Sequence, residues 1–296
     1  MKKEVKLDLS GGIARLKILT NQIVTTRFVG SYQSFFKGRG LEFRDYRPYT
    51  PNDDAAMIDW KASVKSKELL VKEFTEERSL SIFFLIDVSE SMVYGSIDKL
   101  KMEYAGEIAA ALSFSVLNSG DSIGFALFND KIIKAVPPSA GILQYNNLIK
   151  ALVNPNNYGG NYDLDEALKF TLSFLKESCI VILISDFIGL KADCERDIKM
   201  VSKKFDFIGI MVRDPRDRTL PDYNGQAILE DPFTGRQILV RPNLLEEDYK
   251  RYVLRQEQMI RDIFVKANAN FIELATDKSF IKPLMDLFMR RSRILR

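Results

Sequence analysis

Asp87, Ser89 and Ser91 stand at alternate positions directly after Ile82-Phe83-Phe84-Leu85-Ile86. A carboxylate and two hydroxyls are hard oxygen donors, the kind Mg2+ takes. If the chain turns as it leaves a strand, the three converge on one small cation. The same residues also supply turn and helix-cap hydrogen bonds, and their spacing alone leaves both readings open. The apolar run before them suits a strand buried on both faces of a parallel sheet, and ligands gather at the carboxyl ends of such strands. Two more segments offer oxygens. Asp186 closes Ile182-Leu183-Ile184-Ser185, and Gly159-Gly160-Asn161-Tyr162-Asp163 leads into a helix whose Ala167 and Leu168 face inward. Three loops at one sheet edge therefore carry candidate cation ligands.

The chain contains no histidine. That excludes Ser-His-Asp and Cys-His hydrolases as well as His-ligated zinc and non-haem iron. A Ser-Lys dyad or a carboxylate pair remains open. Asp87 as a phosphorylated nucleophile lacks the second Asp expected two residues on, where Ser89 stands. A Mg2+-assisted phosphohydrolase built on Asp87 and Asp186 is one alternative. Nucleic-acid binding through the basic segments is another. Neither has a dedicated motif, and 43 basic against 40 acidic residues leave a formal charge of only +3. The expectation is a chain with no catalytic residue.

The elements that position these residues read as α/β. From residue 80 onward, apolar strands at 81–86, 122–128, 131–136, 179–184, 205–212 and 270–274 alternate with amphipathic helices at 98–117, 141–152, 164–175, 192–203, 244–267 and 280–290. Asn129-Asp130 reads as a hairpin turn, so one strand runs antiparallel to the rest. Segments 226–230 and 236–240 read as a second hairpin. The pattern predicts a doubly wound, mostly parallel sheet with helices on both faces. Residues 1–79 form an accessory segment expected to pack on the body of residues 80–296. It holds a predicted helix at about 13–28, an aromatic- and Arg-rich stretch without clear period, and Trp60, read as a core plug. The amino terminus lacks the apolar core of a signal peptide, and no run reaches the roughly 18 apolar residues of a membrane span. Cys179 and Cys194 suggest neither disulfide nor zinc site. These features predict a cytoplasmic protein.

The constellation resembles the von Willebrand factor type A fold and its metal-ion-dependent adhesion site, Asp-x-Ser-x-Ser followed by a Thr in a Gly-rich loop and an Asp after a later strand. Asp87, Ser89, Ser91 and Asp186 match. The Thr position holds Tyr162, with Asp163 beside it as an alternative ligand, so Mg2+ or Mn2+ binding is expected to be weak or absent. The amino-terminal string is more specific. Gly38-Arg39-Gly40-Leu41-Glu42-Phe43, Arg47-Pro48-Tyr49, Asp53-Asp54 and Ile58-Asp59-Trp60 resemble the hallmark of a bacterial family known as domain of unknown function 58, whose body is type A-like. Asn52 and Ala56 depart from its usual Gly and Arg. On the residues alone, that string reads as structural, with Arg44, Arg47, Asp53, Asp54 and Asp59 forming ion pairs or caps.

The resemblance implies association with MoxR-type AAA+ ATPases, as an adaptor in protein assembly or remodelling. It implies a protein partner whose acidic side chain completes the shell of a cation held by Asp87, Ser89, Ser91, Tyr162 or Asp163, and Asp186.

Overall fold

The computed structural model describes residues 42–51, 53–75, 80–191 and 194–294. The predicted helix at 13–28 and the Gly38-Arg39-Gly40-Leu41 part of the amino-terminal string lie outside them. The described residues fall into two compact units, 42–80 and 81–294.

In the smaller unit, β1 (Glu42–Pro48) pairs antiparallel with β2 (Leu70–Thr75) across one irregularity between Phe43 and Asp45. Between them lie a single turn of 3-10 helix and α1 (Trp60–Ser66). Asp54 caps the 3-10 turn through Ala56 N–H, and Asp59 caps α1 through the N–H groups of Lys61 and Ala62. Arg47 meets Asp53 as a two-pronged pair at 2.6 Å on each prong. For Arg47, Asp53, Asp54 and Asp59 these are the ion pair and caps that a structural reading of the string expects, and the Arg44 side chain lies outside the described residues. Trp60 departs from that reading. It begins a helix of only seven residues and is 64% exposed, not a core plug.

The larger unit is a six-stranded sheet in the order β10-β7-β6-β3-β4-β5. Its strands are β3 (Ser81–Asp87), β4 (Ser122–Phe128), β5 (Ile132–Ser139), β6 (Ile180–Ser185), β7 (Asp206–Arg213) and β10 (Asn270–Ala275). All pair parallel except β5, the edge strand, which runs antiparallel to β4. β5 carries Pro137 and Pro138, tolerated where one side of a strand has no ladder partner. β3 and β6 are neighbours, and every residue from Ile82 to Asp87 and from Ile180 to Ser185 is buried. Consecutive strands after β3 lie to one side of it, and β6, β7 and β10 to the other, so the order reverses at β3. Such a reversal opens a crevice at the carboxyl ends of the central strands.

The helices of this unit are α2 (Lys101–Asn118), α3 (Ile142–Leu152), α4 (Leu164–Phe174), α5 (Cys194–Lys204), α6 (Pro242–Lys266) and α7 (Ile281–Ile294). α2 is buried along nearly its whole length from Lys101 to Val116. A helix apolar around most of its circumference belongs inside the fold, and the charged Lys101 and Glu107 go in with it. β8 (Ala227–Glu230) and β9 (Gln237–Val240) form a separate two-stranded hairpin. No helix among the described residues is long and apolar enough to cross a membrane.

Candidate functional site

β3 ends at Asp87 and the chain turns at once. Asp87 Oδ1 accepts the Ser89 N–H at 2.8 Å, which folds the backbone back over the carboxylate. Residues 90–93 then form a 3-10 turn with Ser89 at its N-cap position. A serine there ordinarily offers its hydroxyl to a backbone N–H. Ser89 makes no such cap bond, and its Oγ lies 3.2 Å from Ser91 Oγ instead. Asp87, Ser89 and Ser91 are all essentially inaccessible to solvent.

The Gly-rich loop is stitched to this turn by backbone. Gly159 N–H donates to the Val88 carbonyl at 2.8 Å, and Glu90 N–H donates to the Gly160 carbonyl at 3.0 Å. The β4–β5 turn holds the loop from the other side, where Asn129 Nδ2 donates to the Gly159 carbonyl at 2.7 Å. Gly160 adopts φ +85°, and a Cβ there would sit 2.7 Å from Asn129 Nδ2. Both the left-handed backbone and the close approach require glycine at that position.

β6 ends next to β3 and contributes two residues. Ser185 Oγ donates to Asp87 Oδ2 at 2.6 Å and accepts the Phe187 N–H at 2.9 Å. Asp186 Oδ1 accepts the Ile188 N–H at 2.9 Å. Phe187, between these N–H groups, has φ +56°, unusual for a bulky residue. Its ring is held edge-on to Phe264, with centroids 5.7 Å apart, so packing sustains the strained backbone that aims Ser185 and Asp186.

Two neighbours of the candidate ligands were not legible in the sequence. Lys101, at the start of α2, places Nζ 2.7 Å from Asp186 Oδ2 and 3.0 Å from Asp217 Oδ2. Both Lys101 and Asp186 are buried. Burial works against the charged lysine, but Asp186 and Asp217 outweigh it and hold its pKa above the usual lysine range. Asp87 takes hydrogen bonds from the Ser89 N–H and the Ser185 hydroxyl. Burial first, and then the charge of Asp186, push its carboxyl up to about 7.

Tyr162 is buried, with its hydroxyl 3.3 Å from Ser185 Oγ and its ring 6.0 Å from that of Phe128. Burial and the nearby Asp87 charge push the phenol well above its ordinary pKa, so it stays neutral. A Cβ built at Gly189 would lie 3.3 Å from Phe233, at the tip of the β8–β9 hairpin, and 3.7 Å from the Tyr162 ring. Asp163 is occupied elsewhere. It caps α4 through Glu166 N–H and pairs with Lys191 at 2.7 Å. Burial favours its neutral form, but Lys191 and the amide donors prevail and hold the carboxyl below its ordinary range.

Asp87, Ser89, Ser91, Tyr162 and Asp186 thus belong to one hydrogen-bonded edge or its immediate neighbours. Asp163 faces Lys191. The first three suit a small divalent cation as a set of hard oxygens, with Ser89 spared from capping. Asp186 already has a cation. No cluster of three or more His, Cys, Asp or Glu side chains suited to a metal occurs among the described residues, so any ion here depends on the hydroxyls.

The family described as "Protein of unknown function DUF58" matches residues 45–259. The chain belongs to the DUF58 family. A relative, the uncharacterised protein Rv1480 of Mycobacterium tuberculosis, is 24% identical over 289 residues, covering 96% of this DUF58 chain and 90% of its own. Among solved structures, BatB of Bacteroides thetaiotaomicron matches with TM-score 0.52 at 15% identity, over 73% of this chain and all of its own. An aerotolerance-related membrane protein of Bacteroides fragilis matches over the same share with TM-score 0.51 at 13% identity. At such identities the likeness concerns fold alone: a mixed α/β unit on a mostly parallel central sheet.

Proposed function

We propose that this DUF58 protein is a non-enzymatic, cytoplasmic protein-interaction adaptor. Its working edge is the carboxyl end of β3 and β6, where Asp87, Ser89 and Ser91 hold a Mg2+ or Mn2+ ion that an acidic side chain of a partner completes. The observation that carries this reading is the 3.2 Å approach of the Ser89 and Ser91 hydroxyls beside Asp87, with Ser89 making no cap bond at the head of its own helical turn. The reversal of strand order at β3 supports a doubly wound, type A-like body with its crevice at this edge. Two hydroxyls and one carboxylate leave a bound ion electrophilic, which favours recognition of a carboxylate over turnover. The partner that the family resemblance implies is a MoxR-type AAA+ ATPase.

The test is association of the full chain with the purified MoxR-type ATPase of its own organism, measured in Mg2+ and in chelator. Binding weakens at least about tenfold in chelator, a difference of about 1.4 kcal/mol. Asp87→Ala or Ser89→Ala produces the same loss with an unchanged circular-dichroism spectrum. A complex that forms equally well in chelator and with Asp87→Ala removes the edge from the interface. Turnover of a phosphate ester that is lost with Asp87→Ala replaces the adaptor reading with the phosphohydrolase.

A further inference from the structure

Lys101 and its partner Asp186 are charged groups of the edge that the proposed function does not use. The Lys101 side chain is 1% exposed, although it begins a helix, the place where a lysine is least favoured by the helix dipole. Lysine is almost never buried so completely without partners, and here the partners enclose it. Nζ lies 2.7 Å from Asp186 Oδ2, 3.2 and 3.0 Å from the two Asp217 oxygens, and 5.7 Å from the centre of the Tyr94 ring. Asp217 is itself fixed, accepting the Asp214 N–H at 2.9 Å and offering its carbonyl to the Tyr249 hydroxyl at 3.1 Å. The ammonium therefore sits in a built cage of two carboxylates and an aromatic face, and one of those carboxylates, Asp186, directly follows the Ser185 that donates to Asp87.

We propose that Lys101 is the resident cation of this edge and restrains its affinity for divalent ions. The inference rests on the reading of Asp87, Ser89 and Ser91 as a cation site. With the ammonium on one Asp186 oxygen and the Ile188 N–H on the other, both are already engaged. A divalent ion held by Asp87, Ser89 and Ser91 would find both Asp186 oxygens engaged and a like charge paired with that carboxylate. In a site shielded from water this repulsion is large compared with the same charges at the surface. Asp217 fits the scheme as the second anchor, since it keeps the ammonium in place when a divalent ion approaches Asp186.

Mn2+ is the probe, with free ion counted by electron paramagnetic resonance on the full chain and Mg2+ added as competitor. The variants are Lys101→Met and, because a lone removal strands two buried carboxylates, Lys101→Met combined with Asp217→Asn. Mn2+ binds at least about tenfold more tightly to these variants than to the natural chain. It also raises their unfolding temperature more than that of the natural chain. Adding Asp87→Ala abolishes the gain. Equal or tighter binding to the natural chain overturns the role of Lys101 and leaves the cation site standing. No saturable Mn2+ binding in any of the proteins, or binding indifferent to Asp87→Ala, overturns the cation site and the inference with it.

Discussion

Among the described residues, two lysine–carboxylate pairs involve candidate cation ligands, and both are 2.7 Å long. Lys101–Asp186 has side-chain exposures of 1% and 0%, whereas Lys191–Asp163 has 59% and 29%. Equal distance does not mean equal energy. In the buried pair, removing one partner leaves a charge that water cannot reach. In the exposed pair, water replaces whichever partner is lost and salt screens what remains. The pairs also divide the candidate ligands. Asp186 is bound to an ammonium that is enclosed with it, while Asp163 binds with one oxygen an ammonium that solvent competes for and caps a helix with the other.

The largest effect falls on Lys101→Met. Loss of the buried partner destabilises the protein by about 3–5 kcal/mol, read as a lower urea midpoint. Asp217→Asn in the same chain recovers part of it, because one of the two stranded charges is gone. A loss no greater than that of a surface lysine erases the contrast between the pairs. Next comes Tyr162→Thr. The ring is buried against Phe128, so the substitution leaves a cavity costing about 2–3 kcal/mol. It also places a short hydroxyl where the type A pattern has Thr, and Mn2+ binding tightens. Tighter binding together with lower stability separates the packing role of Tyr162 from its effect on the ion. Unchanged binding places Tyr162 outside the ion's surroundings.

How far the sequence foretold this arrangement differs between its parts. The buried strands β3, β4, β6 and β7 were legible to within a residue or two, because unbroken apolar runs ending in small polar residues have few alternatives. β1 was not. Glu42-Phe43-Arg44-Asp45-Tyr46-Arg47-Pro48 has no clean alternation, and its pairing with β2 shifts between Phe43 and Asp45, which breaks a period of two. Asp87, Ser89 and Ser91 announce themselves by being close in sequence. Lys101 and Asp217 do not, since they lie 85 and 31 positions from Asp186 and only the folded sheet edge assembles them. A signal was nevertheless present: a helix as apolar as α2 must be buried, and a lysine inside it must find an anion. Asp163 carried its own signal in Asp163-Leu164-Asp165-Glu166, the spacing of a capping box, which points to helix initiation.

That capping duty gives the next prediction. Asp163→Ala removes the acceptor for Glu166 N–H and costs about 1 kcal/mol, whereas Asp163→Asn, which can still cap, costs less. Equal losses for the two would assign the effect to the charge on Asp163 and its pairing with Lys191.

The smallest effect belongs to Lys191→Met, and it bears most directly on the comparison. Lys191 gives Asp163 a charged hydrogen bond, but its own side chain is mostly in water, and the capping bond of Asp163 uses the other carboxylate oxygen. Removing Lys191 therefore leaves the cap intact and exposes Asp163 to solvent that can hydrate it. The urea midpoint in moderate salt stays within the scatter of the natural chain, and any difference seen at low salt shrinks as salt is added. Mn2+ affinity is unchanged as well, because Asp163 keeps its capping bond to Glu166 N–H when Lys191 is gone. A Lys191→Met protein that loses stability on the scale of Lys101→Met, or that binds Mn2+ more tightly, would show that burial does not separate the two pairs and that Asp163 belongs among the ligands.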